Sequence, residues 1–230
     1  MMRTRDEIHA LSLEDKLAFI KTCTTAFVVD AMNLLELKRW WLKGIKTLKD
    51  GKTMVAPAFT MRLERVRLGE PTHNAYDAVE ICPPGYAMCI ANIHDTFLIG
   101  GNVVAMANNQ GVAGMVLEAS NRDVREMRAL SIPVFSQGVG AMVLNTDIPV
   151  SFEAASSVEI GGGKIYRDDI LFGDDDGVIA IPREHLDEIL YQLELVKAVE
   201  DEAAAALEEN VLAPREFFDK IVAKKKKPRA

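Results

Sequence analysis

One stretch of the chain decides the fold, and it reads Gly111-Val112-Ala113-Gly114-Met115-Val116-Leu117-Glu118-Ala119-Ser120-Asn121-Arg122-Asp123-Val124. Residues 112–117 form an apolar run of strand length, and residues 120–123 form a polar loop after it. A short helix is predicted around residues 124–130 and a second strand at residues 132–136. Because neighbouring parallel strands need a crossover connection, this order predicts two parallel strands of an α/β sheet.

The same alternation continues toward the N-terminus. Gly100-Gly101-Asn102 opens a predicted helix that covers residues 103–110 and ends at Gly111, a residue type that suits the end of a helix. Two further strands are predicted at residues 55–63 and 86–91. Two N-terminal helices are predicted at residues 13–22 and 24–37.

The C-terminal part of the chain has a different pattern. Short β-like runs separated by Gly-rich and Asp-rich turns predict antiparallel strands at residues 150–152, 158–160, 164–166 and 177–181. Residues 183–209 carry apolar side chains at helical spacing and predict a long final helix. We therefore expect an α/β fold with a central mixed sheet and terminal helices, built as one domain over residues 1–222 and followed by a basic, disordered tail at residues 223–230.

The composition narrows the class of protein. Of the 230 residues, 49% are hydrophobic and 27% are charged, which excludes a wholly disordered or collagen-like chain. The net charge is −7 and the one basic run lies at residues 224–229, so no nucleic-acid partner is expected. A charged N-terminus and the lack of a long apolar run predict no membrane span and no signal peptide. Cys23, Cys82 and Cys89 show no C-x-x-C spacing, which favours a reducing, cytoplasmic location.

Several motifs are better explained as turns than as binding sites. Gly161-Gly162-Gly163-Lys164 lacks the Ser or Thr that follows the lysine of a phosphate-binding loop. Gly138-Val139-Gly140 lacks the third small residue of a dinucleotide fingerprint, and Asp174-Asp175-Asp176-Gly177 lacks the alternating ligands of a calcium loop. No serine lies in a G-x-S-x-G elbow, which argues against acyl transfer.

Two features at the ends of consecutive predicted strands favour a binding crevice. Gly100-Gly101-Asn102-Val103 offers close backbone approach and the N-terminus of a helix, which suit a carboxylate. Arg122 could bind a second carboxylate or an enolate, while Asp123 could hold a hydrated Mg²⁺. Taken singly, each feature also fits an ordinary turn or a solvated surface pair. His94 and Asp95 follow the strand at residues 86–91 and are candidates for the same edge, although His94 also fits a structural or surface role.

These residues resemble a known family. Residues 111–124 and the following Ile132-Pro133-Val134-Phe135-Ser136-Gln137-Gly138 are similar to the central signature of the family that contains 4-hydroxy-4-methyl-2-oxoglutarate aldolase and the regulator of ribonuclease activity A, the RraA-like family. Further landmarks follow in the family's order at Val29-Asp30-Ala31-Met32, residues 55–60, Pro84-Gly85 and residues 174–182. The resemblance implies an α/β/β swivelling-domain fold, assembled as a homotrimer or homohexamer with active sites at subunit interfaces.

The resemblance also implies the roles of individual residues. The family's arginine falls on Arg122 and its metal-binding aspartate on Asp123, with Mg²⁺ or Mn²⁺ as the expected cofactor. The substrate-binding turn falls on Gly100, Gly101, Asn102 and Val103, whose amides would hold the carboxylate of a pyruvyl group.

One position departs from the family pattern. The aldolases commonly carry Asp or Glu directly after the first glycine of the turn, where this chain has Gly101 or, with a one-residue shift, Asn102. His94 and Asp95 are candidate accessory residues, and Glu202 is a candidate contribution to a neighbouring subunit's site.

The expected function is that of a divalent-metal-dependent lyase acting on a small 2-oxo acid. Its reaction would be retro-aldol cleavage of a 4-hydroxy-2-oxo acid with release of pyruvate, decarboxylation of oxaloacetate, or both, because both reactions pass through an enolate. The alternative is a non-catalytic regulatory protein that binds a protein partner such as a ribonuclease. The missing acid supports this alternative, whereas the retained Arg122-Asp123 pair argues against it. A scaffold without a site would leave both features unexplained.

Overall fold

The computed structural model describes residues 2–37, 41–92, 98–141, 149–208, 215, 219–220, 223–224 and 227–229. The chain divides into two compact units, one formed by Met1–Lys38 together with Glu184–Ala230 and the other by Arg39–Arg183. The first unit contains the terminal helices, and the second contains the sheet and the candidate site.

Helices and strands follow one another along the chain. The helices are α1 (Arg5–His9), α2 (Leu13–Ile20), α3 (Thr25–Leu34), α4 (Ala75–Ile81), α5 (Gly101–Gln110), α6 (Val124–Ala129) and α7 (Leu186–Glu208), and a 3₁₀ turn lies at Arg183–His185. The strands are β1 (Lys46–Thr47), β2 (Met54–Arg65), β3 (Ala87–Asn92), β4 (Leu98–Ile99), β5 (Gly114–Asn121), β6 (Val134–Val139), β7 (Val150–Ala154), β8 (Ser157–Ile160), β9 (Gly163–Tyr166), β10 (Ile170–Asp174) and β11 (Gly177–Ile181).

The central sheet is mixed, as the sequence predicts. Its strands follow the order β1-β6-β5-β3-β2-β10-β11, with β4 paired to β5 and β7 paired to β2. The pairs β2–β3, β3–β5 and β5–β6 are parallel, whereas β2–β10, β10–β11 and β1–β6 are antiparallel. The N–H of Leu42, just before β1, donates to the carbonyl of Val178 in β11 at 2.9 Å. The two ends of the sheet therefore come together, and the sheet is nearly closed.

Tight packing fills the space inside this curved sheet. Phe135 of β6 is fully buried, and its ring lies against Gly173 of β10. A β-carbon at Gly173 would stand 2.6 Å from the nearest ring atom, so only glycine fits opposite this ring. The hairpin of β8 and β9 contributes Val158, Ile160 and Ile165 to the same cluster. A second cluster, on the other face of the sheet, packs α4, α5 and α6 against β3, β5 and β6.

One predicted strand boundary is wrong. The strand predicted at residues 112–117 is β5, Gly114–Asn121, so Ser120 and Asn121 are strand residues and not loop residues. The short strand β4 provides the reason, because it pairs Leu98 with Ser120 and Ile99 with Asn121. Polar residues can extend a strand when a neighbouring strand satisfies their backbone groups. The extension carries β5 to the residue immediately before Arg122.

The terminal helices form the other unit. The apolar face of α7 packs against α1 and α3, and it buries Ile189, Leu193 and Val196. The apolar stripe predicted for the final helix is therefore covered within the chain, so it gives no support to an oligomer. Arg229 stacks its guanidinium 3.8 Å from the ring centroid of Tyr191. The disorder predicted for residues 223–230, like the domain boundary at residue 222, stays a prediction.

No single helix in the described part of the chain is both long enough and apolar enough to cross a membrane. The pair α2 and α3 meets the same length and composition criteria together, but the two helices meet at an angle of 111°.

Candidate functional site

The turn before α5 and the loop after β5 lie side by side. Because β4 and β5 are parallel neighbours, with Ile99 opposite Asn121, the residues that follow each strand emerge at the same edge of the sheet. The N–H of Arg122 also donates to the carbonyl of Ile99 at 3.2 Å. The structure therefore brings together the two features that the sequence singled out, the glycine turn and the Arg-Asp pair.

Asp123 links the loop to α5. It is the N-cap of α6 with φ 59° and ψ 33°, a left-handed conformation that aspartate tolerates better than most residues do. An N-cap aspartate usually accepts hydrogen bonds from its own helix, but this side chain does not. Instead, Oδ2 accepts the N–H of Gly101 at 3.0 Å. A carboxylate thus lies at the N-terminus of α5, where the helix dipole favours negative charge.

The close approach depends on the two glycines of the turn. A β-carbon on Gly100 would stand 2.8 Å from Oδ2 of Asp123 and 3.2 Å from Nε of Arg122. A β-carbon on Gly101 would stand 3.2 Å from the β-carbon of Asp123 and 3.3 Å from that of Glu126. Side chains at positions 100 and 101 would therefore displace the Arg122 and Asp123 side chains.

Arg122 lies over the turn with part of its guanidinium accessible. Its Nε is 3.7 Å from Oδ2 of Asp123, and the two side chains are 40% and 46% exposed. The Nε atom itself is buried and has no hydrogen-bond partner among the described residues, and neither has either amide atom of Asn121. A buried donor without a partner is costly, so such groups commonly mark the place of a ligand or an ordered water.

The residues at this edge suit one hydrated divalent cation better than a closed metal centre. In the described part of the chain, no group of three or more His, Cys, Asp or Glu side chains is placed to hold a metal ion. Mg²⁺ does not need such a group, because it keeps several waters and binds through one or two carboxylates plus ligand oxygens. Asp123 is half exposed and engages only Oδ2 with the turn, so its other oxygen could hold such an ion.

The amides at the start of α5 form the second half of the site. The first backbone hydrogen bond of the helix joins the Val104 N–H to the Gly100 carbonyl, so the preceding amides have no partner inside the helix. Asp123 accepts the N–H of Gly101. The N–H groups of Asn102 and Val103 have no hydrogen bond to any other described residue.

The three accessory candidates, His94, Asp95 and Glu202, stay predictions. His94 and Asp95 lie outside the described residues. Glu202 lies on α7, in the other compact unit, where it forms an ion pair with Lys224 at 2.7 Å.

Sequence reasoning did not single out Asn121 or Glu126. Asn121 is fully buried at the end of β5, but an asparagine before a polar loop carries no sequence signal of burial. Glu126 had a signal, because it follows the N-cap Asp123 by three residues, a spacing that places both side chains at the start of one helix.

Neither the buried thiols, Cys82 and Cys89, nor the group of Ser151, His73 and Glu153 supplies an activated nucleophile. Burial raises the pKa of the Cys82 thiol to about 12 and also raises the pKa of Cys89. Ser151 and His73 both hydrogen-bond to the Glu153 carboxylate, and the Ser151 hydroxyl donates to it. These contacts, Ser151 first, lower the pKa of Glu153. A serine nucleophile would instead donate to the histidine, so the hydrogen bonds of this group have a structural role.

The fold and the site together define a class of protein. Its members have a nearly closed mixed α/β sheet, and here the strand ends place the N-terminus of α5 next to an Arg-Asp pair. A family model described as Aldolase/RraA, of the RraA-like group, matches residues 25–180, which is more than half of the chain. The chain belongs to this family, and the resemblance predicted from the sequence is confirmed.

Individual relatives agree with this membership. A protein of Halalkalibacterium halodurans named "Putative 4-hydroxy-4-methyl-2-oxoglutarate aldolase" is 27% identical over 215 residues, which cover 90% of this chain and 96% of that protein. Protein DlpA of Legionella pneumophila is 26% identical over 203 residues, or 87% of this chain. The matched region is only 33% of the length of DlpA.

Solved structures confirm the fold. An uncharacterized protein from Pseudomonas syringae pv. tomato superposes with a TM-score of 0.79 at 19% identity, over 91% of this chain and 95% of that one. Streptomyces coelicolor RraAS2, described as an unusual member of the RNase ES inhibitor RraA family, superposes with a TM-score of 0.69 at 21% identity. That match covers 86% of this chain and 96% of RraAS2.

Proposed function

We propose that this protein is a divalent-metal-dependent lyase that cleaves a C–C bond of a small 2-oxo acid and releases pyruvate. One observation supports this most directly, namely that the Asp123 carboxylate lies at the N-terminus of α5, 3.0 Å from the Gly101 N–H and beside Arg122. An anion-binding turn, a cation-binding carboxylate and a guanidinium then lie within one small region. These are the groups that a reaction with a developing enolate requires.

The substrate's carboxylate would bind at the start of α5. The N–H groups of Asn102 and Val103 have no other partner among the described residues, and the positive end of the helix dipole lies with them. Gly100 has no side chain to block the approach. The 2-oxo group would then lie toward Arg122 and Asp123.

Asp123 would hold the cation with the carboxylate oxygen that does not accept the Gly101 N–H. A bound Mg²⁺ or Mn²⁺ supplies Lewis acidity at the 2-oxo group. The hydrogen bond from Gly101 and the nearby Arg122 hold the Asp123 side chain in one orientation, so little rearrangement is needed when a ligand binds.

Arg122 would stabilise the negative charge that develops during cleavage. When the C–C bond breaks, its electron pair moves toward the 2-oxo oxygen, and the nearby guanidinium can share that charge through two parallel N–H groups. The Nε of Arg122 has no hydrogen-bond partner among the described residues, so the guanidinium has an unused donor beside the turn.

The two candidate reactions make different demands on the site. Retro-aldol cleavage needs a base that removes the proton of the 4-hydroxyl group, whereas decarboxylation of oxaloacetate releases CO₂ without that step. The turn carries Gly101 and Asn102 and therefore supplies no such base itself. Oxaloacetate is accordingly the substrate that the described residues are best equipped to process.

The decisive assay is pyruvate release from oxaloacetate and from a panel of 4-hydroxy-2-oxo acids. Each acid is measured with Mg²⁺, with Mn²⁺ and with a chelator. We expect metal-dependent release from at least oxaloacetate, above the rate of the free metal in buffer. Release from no acid would contradict the lyase proposal.

A regulatory protein is the second candidate. The glycine at position 101 favours it, since the turn has lost a side chain that the family's aldolases commonly carry. The structural likeness to RraAS2, whose description names RNase ES inhibition, is consistent with it. This candidate predicts no pyruvate release but slower RNA cleavage by a bacterial ribonuclease E when the full-length protein is added.

A further inference from the structure

A second carboxylate lies at the start of the same helix as Asp123. Glu126 is in the first turn of α6, and its N–H donates to the Asp123 carbonyl at 3.0 Å. Its β-carbon lies 3.3 Å from the point where a β-carbon of Gly101 would stand. Glu126 is exposed, and among the described residues its carboxylate has no hydrogen bond or ion pair. It is therefore free to serve a ligand at the glycine turn.

The same contacts leave little room for an acid at position 101. A side chain on Gly101 would meet the β-carbons of both Asp123 and Glu126 at 3.2 and 3.3 Å, which is closer than ordinary van der Waals contact. The space that such a side chain would need is occupied by the first turn of α6. An acid at position 101 would therefore compete with Asp123 and Glu126 for this space.

Buried polar atoms indicate independently that a polar ligand belongs here. Nε of Arg122 is buried over the turn, 3.2 Å from where a β-carbon of Gly100 would be, and has no hydrogen-bond partner among the described residues. Asn121 directly precedes Arg122 and is fully buried, and neither of its side-chain amide atoms has a hydrogen-bond partner among the described residues. Unpaired buried groups are rare in folded proteins and are expected to be satisfied by a ligand or its water.

We propose that Glu126 is the second carboxylate of the cation site at Asp123, where it accepts hydrogen bonds from the ion's water shell. This inference rests on the proposed function. Glu126 of the adjacent helix α6 would take the place of the acid that the turn lacks. Mg²⁺ and Mn²⁺ suit this arrangement because they keep several waters and take few protein oxygens directly. Partners in the outer shell of a metal typically contribute 10- to 100-fold to affinity.

The test measures Mn²⁺ binding to the full-length, substrate-free protein by electron paramagnetic resonance, with isothermal titration as a second readout. The variants are Glu126→Gln, Glu126→Asp, Asp123→Asn and the matched control Glu80→Gln. Glu80 is an exposed glutamate of α4 whose carbonyl accepts from Gln110, at the far end of α5 from Gly101. Thermal melting confirms that each variant is folded.

We expect Glu126→Gln to weaken Mn²⁺ binding about 10- to 100-fold, Glu126→Asp to weaken it less, and Glu80→Gln to leave it unchanged. Wild-type affinity in Glu126→Gln, with loss in Asp123→Asn, would overturn the role of Glu126 and leave the proposed function standing. Equal weakening in Glu80→Gln and Glu126→Gln would also overturn it, because the effect would then reflect net charge. Wild-type affinity in Asp123→Asn would instead contradict the cation site of the proposed function.

Discussion

The N–H of Gly101 donates a hydrogen bond to Oδ2 of Asp123 at 3.0 Å, which joins the first turn of α5 to the loop after β5. Asp123 is the N-cap of α6, yet its side chain serves the neighbouring helix. A left-handed backbone and an N-cap side chain that does not bond to its own helix both lower local stability. Such departures from the usual pattern are concentrated at functional sites. From this bond we infer, as our central claim, that the turn and the Arg-Asp loop form one site.

A first prediction concerns Gly100. In Gly100→Ala the new β-carbon would lie 2.8 Å from Oδ2 of Asp123, so the carboxylate must move. The backbone of Gly100, at φ −99° and ψ 167°, accepts alanine without strain, so the protein should fold. A displacement of about 1 Å at a reacting group can cost about 100-fold in rate. We expect a loss of that order in pyruvate release, measured together with the melting temperature.

Gly140→Ala is the matched control for this substitution. A β-carbon at Gly140 meets no atom of the described residues within 4 Å, so the same chemical change should leave the rate near that of the parent. If Gly100→Ala retained the parent rate, the reaction would not depend on the observed position of the Asp123 carboxylate, which would contradict its proposed role.

A second prediction separates charge from shape at Arg122. Arg122→Lys keeps the positive charge but removes the planar fork that binds two oxygens, so cation binding should persist while the rate falls. Loss of one positioned donor commonly costs about 100- to 1,000-fold in turnover. Steady-state kinetics should show the loss in kcat. An unchanged kcat would show that Arg122 does not stabilise the reacting group.

Part of this site could be predicted from the sequence, namely the ends of α5 and the closeness of the glycine turn to Arg122. Gly100 and Gly111 mark the ends of α5 because glycine suits a tight turn and a left-handed helix end, and Gly111 has φ 81°. The adjacency of Gly100 and Arg122 could also be predicted, since parallel strands place their following residues at one edge.

Other features depend on tertiary contacts that a single sequence does not encode locally. The polar residue Asn121 is buried at the end of β5 because β4 pairs with it. The Asp123 side chain engages α5 in place of α6, although the local pattern Asp-x-x-Glu suggests a cap for α6. Strand β10 was not predicted, because Asp168, Asp169 and Gly173 give its surroundings the composition of a turn.

A third prediction concerns the thiols. Burial raises the pKa of all three cysteines, to about 12 for Cys82, so the reactive thiolate form is scarce at pH 8. Cys23, Cys82 and Cys89 are free thiols in the structure. Ellman's reagent should therefore react slowly with the native protein and rapidly with three thiols in guanidinium. Rapid reaction of a native thiol would contradict the described burial.

A fourth prediction concerns assembly. The family resemblance leads us to propose a homotrimer or homohexamer, although the apolar face of α7 is already covered by α1 and α3. Light scattering at micromolar concentration should give three or six times the mass of one chain. A monomer that still releases pyruvate would show that one chain holds a complete site.

The most direct test of the central claim is metal-dependent pyruvate release by Asp123→Asn. Asparagine also tolerates the left-handed backbone, and its amide oxygen can still accept the Gly101 N–H, so the fold and the link to α5 should survive. The negative charge that would hold the cation is lost. The account predicts a folded protein whose Mg²⁺-dependent release from oxaloacetate falls about 100-fold or more. A folded Asp123→Asn variant that releases pyruvate at the parent rate, with the same dependence on Mg²⁺, would contradict it.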